Sequence, residues 1–176
     1  MTKSRYKAES LSRKQIRMYA KSIRATLGLT DCTRIDIVRL AEIIFPELFA
    51  KDGFSFEILT REEMGSDHGL TDPSTGRVMI REDVYDQACQ GMGRDRLTIA
   101  HELGHFLLHD GVTLGLARAG ENENIPPYRD PEWQASAFAG EFLMDADIIR
   151  NMTVPEIAER CGVSVEAAAY QKSKTK

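Results

Sequence analysis

Apolar residues recur at helical spacing near both ends of this chain and alternate at strand spacing between them. Leu11, Ile16, Tyr19, Ile23 and Leu27 share one face of a helix predicted over 10–27, with Gly28 ending it. A second helix is predicted over 34–49, where Ile37, Leu40, Ala41, Ile44 and Phe45 keep the same period. Pro46 kinks or ends it, because proline has no N–H to donate and its ring crowds the preceding turn. Both helices read as core-packing elements. Residues 54–59 alternate as a short strand, and His68-Gly69-Leu70-Thr71 and Arg77-Val78-Met79-Ile80 flank the turn-forming Asp72-Pro73-Ser74-Thr75-Gly76 as a β-hairpin. Together these strands predict a small antiparallel sheet. Its outer strand, if exposed, offers unpaired backbone groups to an extended peptide, though spacing alone does not separate that from an edge that binds nothing.

Beyond the hairpin, residues 81–91 begin with Glu82-Asp83, carboxylates suited to a helix N-terminus, and predict a short helix. A longer helix follows over 94–109, closed by Asp110-Gly111. Residues 111–130 are polar and rich in Gly, Asn and Pro, a long loop of the kind that serves as a lid. Asp130 and Pro131 then cap and open a helix running to Met144. From Thr153 to Tyr170 the pattern is that of a helix–turn–helix pair, with Gly162 in the turn and Ser164 capping the second helix.

The chemistry sits in the 94–109 helix, where His101-Glu102-Leu103-Gly104-His105 forms H-E-x-x-H among small and apolar neighbours. Residues four apart lie one turn apart on one helix face, so His101 and His105 can aim at a single metal ion, and Glu102 can act as general base nearby. Two histidines and a glutamate are unfavourable in a plain core helix, which argues for a metal site. In the 131–144 helix the face at 132, 135, 136 and 139 is narrow and permits close approach to another helix, which places Glu132 to become a third ligand. Two His and one Glu with an open fourth position is the catalytic zinc arrangement. Glu141, two turns on, is the rival carboxylate. His109 falls about 40° from His105 on the helix wheel and reads either as a ligand or as a cap and pocket wall. His68 reads as a surface or loop histidine.

Composition narrows the class. The 176 residues are 42% hydrophobic and 28% charged, with a net charge of −4, which is an ordinary globular balance without a basic field for nucleic acid. The would-be recognition helix of the terminal pair offers Glu166, Ala167, Ala168 and Ala169, which suit neither phosphates nor base edges, so direct DNA binding is not expected. Basic residues at the amino end, among them Arg13, Arg17, Lys21 and Arg24, read as a solvated helix face. Cys32, Cys89 and Cys161 are widely spaced and odd in number, as expected of reduced thiols in a cytoplasmic protein. No apolar stretch reaches membrane-spanning length, and the polar start lacks a signal peptide's hydrophobic core.

These motifs resemble the ImmA/IrrE family of intracellular zinc metallopeptidases. The matching segments are His68 to Asp72, Arg81 to Tyr85, Arg94 to His109, Glu132-Trp133-Gln134-Ala135 with Phe138-Ala139 and Leu143-Met144, and Gly162-Val163-Ser164, and the resemblance as a whole covers roughly 54–170. The resemblance implies an α+β, zincin-like fold: a small antiparallel β-sheet packed on the H-E-x-x-H helix, with additional helices at both ends. It divides the chain into an N-terminal helical segment (1–53), a metallopeptidase domain (54–152) and a helical appendage (153–176). One Zn²⁺ per chain would be held by His101, His105 and Glu132, with Glu102 as catalytic base and Tyr128 or Arg129 as a possible oxyanion donor. The implied substrate is a helix–turn–helix transcriptional repressor, cut in a stress response or in mobile-element induction. The alternative is a DNA-binding or repressor-sequestering regulator with a structural metal and no proteolysis. Ser136 departs from the family's usual Asn, and Asp145 from its usual Pro.

Overall fold

The computed structural model describes residues 6–109, 117–118 and 124–175. A short strand β1 (Tyr6–Lys7) leads into α1 (Arg13–Thr26), whose start is set by a capping box between Ser12 and Gln15. Gly28 follows α1 with φ at +69°, as a C-terminal glycine should. The second predicted helix starts later than expected, at α2 (Ile37–Arg39), where the Asp36 side chain accepts from the Arg39 N–H at 3.1 Å. Pro46 does not end it. The chain widens into one π-helical turn over Leu40–Ile44, and α3 (Phe45–Leu48) carries the proline in its first turn, where no N–H is needed.

After a 3₁₀ turn at Ala50–Asp52 come β2 (Ser55–Leu59), α4 (Arg61–Met64), β3 (Gly69–Asp72), β4 (Arg77–Arg81), α5 (Glu82–Cys89) and α6 (Gly93–Leu108). The hairpin β3–β4 is antiparallel as read, but β2 pairs parallel with β4, giving the order β2-β4-β3. The sheet is therefore mixed, not antiparallel throughout. Its cause is α4, started by a Thr60–Glu63 capping box, which reverses the chain so that the second hairpin strand runs alongside β2. Being central, β4 buries Val78, Met79, Ile80 and Arg81 together, and its near-continuous apolar run fits a strand covered on both sides.

The remaining elements are β5 (Ala117–Arg118), whose backbone pairs antiparallel with β1, a 3₁₀ turn at Pro127–Arg129, then α7 (Pro131–Leu143), α8 (Ala146–Ile149), α9 (Val154–Cys161) and α10 (Val165–Ser173). Most of the predicted lid, and the Asp110-Gly111 cap, lie outside the described residues. One hydrophobic cluster gathers Ile16 of α1, Phe45 and Phe54, Ile99 and Leu103 of α6, Phe138 of α7, and Ile157 and Ala168 of the last two helices. The small-residue face of α7 meets α6 at Gly104, where an added Cβ would lie 3.1 Å from the Ala135 carbonyl. Part of the amino-terminal basic run turns inward, contrary to a solvated face: Arg24 is buried and donates to the Phe142 carbonyl at 2.7 Å. Among the described residues no helix is long and apolar enough to cross a membrane.

Candidate metal centre

One turn of α6 separates His101 from His105, and their Nε2 atoms stand 3.0 Å apart. Asp130 caps α7 by accepting from the Glu132 N–H at 3.0 Å, and this fixes the first turn of α7 against α6. Glu132 then reaches both rings, with Oε2 3.3 Å from His101 Nε2 and Oε1 3.3 Å from His105 Nε2. One ligand atom from each of the three lies within 4.8 Å of the others. The imidazoles are mostly covered, at 21% and 13% side-chain exposure, while Glu132 at 54% leaves the solvent side open.

This donor set fits a cation. Neutral imidazoles that carry their proton on Nδ1 present two lone pairs beside a carboxylate, so acceptors converge with no donor among them unless a positive charge sits there. The two carboxylates also favour a positive charge at His101. Burial lowers the His101 pKa, but Glu132 and the charge of Glu102 outweigh it and the net shift is upward.

Glu102 is rotated off the two histidines and only 6% exposed. The Thr71 hydroxyl of β3 lies 2.7 Å from its Oε2 and 3.0 Å from its backbone carbonyl. Two residues before it on the strand, Gly69 leaves the room that the carboxylate occupies. Ser136, one turn beyond Glu132, sets its Oγ 3.2 Å from His101 Nδ1, at the back of a candidate ligand. His109 is buried at the end of α6 with Nδ1 3.0 Å from His105 Nδ1 and Nε2 2.9 Å from Gln134 Oε1. Burial, and then the neighbouring His105, push its pKa down to about 4.

Glu141 and His68 have other partners. Glu141 is buried between Arg13 and Arg17, each with Nε 2.8 Å from a carboxylate oxygen. His68 faces Arg94 at 3.2 Å. Tyr128 and Arg129 are exposed on the 3₁₀ turn, where the Arg129 Nε points at the Ala8 carbonyl 3.4 Å away. Sequence reasoning missed Gln134 and the roles of Gly69 and Thr71. The hairpin residues read as turn chemistry and the glutamine as one more helix position, and only the tertiary placement brings them to α6.

A comparison with curated proteins gives no match. Residues 56–173, well over half of the chain and including His101, Glu102, His105 and Glu132, match the family model of the IrrE N-terminal-like domain, the M78 peptidases. With that match laid over the His/His/Glu cluster, the chain belongs to the M78 family, whose members are of metallopeptidase type.

Proposed function

We propose that this protein is a zinc-dependent endopeptidase of the cytoplasm that makes a site-specific cut in a helix–turn–helix transcriptional repressor. The observation that carries the reading is the convergence of His101, His105 and Glu132 beside the buried carboxylate of Glu102. Two nitrogens and one carboxylate oxygen with an open side suit a zinc ion that polarises water and the scissile carbonyl. Glu102 takes the proton of the attacking water and returns it to the leaving amine, and Thr71 keeps its carboxylate aimed. The contacts of Gly69 and Thr71 with Glu102 support a zincin-like arrangement, with the sheet along the motif helix and residues 54–152 carrying the chemistry. Tyr128 and Arg129, exposed on the turn just before α7, are the candidates for the oxyanion donor. The repressor as substrate rests on the family resemblance.

The test is metal content together with proteolysis of a purified helix–turn–helix repressor, for the wild type and for Glu102→Gln. Metal in both proteins with cleavage only by the wild type is the expected result. Cleavage by Glu102→Gln at the wild-type rate would remove Glu102 as the base. Metal in neither would remove the site. Metal in both with cleavage by neither favours the non-catalytic, repressor-binding alternative.

A further inference from the structure

We propose that Gln134 and His109 form a positioning relay that fixes which nitrogen of His105 carries its proton, and so keeps His105 Nε2 free to bind the metal. The inference rests on His105 being a ligand and adds how this chain prepares it. The relay begins at two backbone carbonyls. Gln134 Nε2 lies 2.7 Å from the Glu9 carbonyl and 2.8 Å from the Tyr128 carbonyl. Carbonyls only accept, so both amide hydrogens of Gln134 point at them and the amide cannot be turned over. Its Oε1 must then face His109 Nε2, at 2.9 Å, as an acceptor.

A proton on His109 Nε2 follows. The ring is buried and its partner is a neutral amide, so it carries that one proton and leaves Nδ1 as a lone pair. That lone pair faces His105 Nδ1 at 3.0 Å, which makes His105 Nδ1 the donor. With its proton on Nδ1, His105 has a lone pair on Nε2, the atom 3.3 Å from Glu132. A ligating histidine whose other nitrogen is held by a hydrogen bond is oriented and fixed in tautomer, and loss of such a partner typically costs about 10–100-fold in metal affinity. His109 and Gln134 are thus positioning residues. The relay also ties the amino-terminal segment to the site, because Glu9 supplies one of the carbonyls that lock it.

The experiment uses full-length, zinc-loaded protein labelled with ¹⁵N-histidine, and measures zinc affinity against a competing chromophoric chelator. The variant is Gln134→Met, which keeps the length and removes the acceptor. In the wild type we expect ring protons on His105 Nδ1 and His109 Nε2. Gln134→Met should lose the single His109 tautomer and weaken zinc binding at least about tenfold. A wild-type proton on His109 Nδ1 would overturn the relay, as would a Gln134→Met protein with unchanged tautomers and zinc affinity. If Gln134→Met does not fold, the wild-type proton positions still decide. A wild type that binds no zinc would instead overturn the metal reading itself, which keeps the two failures apart.

Discussion

Gly69 and Glu102 meet with no room between them for a methyl group: a Cβ built on Gly69 would lie 2.7 Å from Glu102 Cγ and 2.8 Å from its Oε1. The glycine is on a paired strand, and Glu102 on a helix buried in the core, so neither backbone yields easily. Glu102 would have to swing away and give up its contact with Thr71. Gly69→Ala should therefore keep its metal and its fold while kcat/KM falls by on the order of 100-fold, the scale of loss for a catalytic group misplaced by about 1 Å. Metal analysis beside steady-state proteolysis tests this. A variant that cleaves at the wild-type rate would mean the carboxylate has another working position.

Arg96 should act as a latch between the motif helix and the chain's last helices. It is buried, with Nε 2.9 Å from the Gly162 carbonyl and Nη2 2.8 Å from the Ile35 carbonyl. Three rows of structure thus meet at one guanidinium. Arg96→Met removes the donors and leaves buried carbonyls without partners, at about 1–3 kcal/mol for each group left unsatisfied. Urea unfolding should show a loss of about 3 kcal/mol, with the zinc affinity of the folded protein kept. A loss below about 0.5 kcal/mol would show that the carbonyls find other donors.

How much of this was legible in the sequence depends on the range of the interaction. His101, Glu102 and His105 were readable because helix period alone puts them together, and Glu132 because a narrow helix face announced a close crossing. Asp130 and Ser164 were legible as caps, and the helices they open start where the sequence puts them. Three things were not local. The strand direction of β2 depends on the reversal by α4, Pro46 is absorbed by a π-turn, and Arg24 looked like surface charge yet satisfies carbonyls in the interior. Gln134 was silent for the same reason: two of its partners are a histidine from another helix and the carbonyl of the distant Glu9.

Glu141 looked like a rival ligand, and its partners now give it a different consequence. The carboxylate has no exposed surface and is held by Arg13 and Arg17, which join α1 to α7. Removing one partner from a buried ion pair typically costs 3–5 kcal/mol, because the remaining charge is left uncompensated. Since both arginines are partly exposed and can turn to water, Glu141→Ala should sit near the low end, about 3 kcal/mol by chemical denaturation. Zinc stoichiometry should be unchanged in the folded protein. Loss of zinc at full stability would reinstate Glu141 as a ligand.

Metal removal should be visible as lost stability, because an ion that binds only the folded chain stabilises it by mass action. At free zinc 1,000-fold above Kd the gain is about 4 kcal/mol. For a domain of this length 1 kcal/mol moves Tm by roughly 2–4 °C, so chelation should lower Tm by roughly 8–16 °C. Glu132→Ala separates this from any side effect of the chelator. It deletes two oxygens, one 3.3 Å from each histidine, on a side chain that is half-exposed, so the protein should fold and yet show a much smaller chelation shift. Thermal unfolding of both proteins, each with zinc and with excess chelator, gives the comparison. Equal shifts in the two would mean that the ion is held without Glu132, and the third ligand would have to be sought among other groups near the open side of His101 and His105.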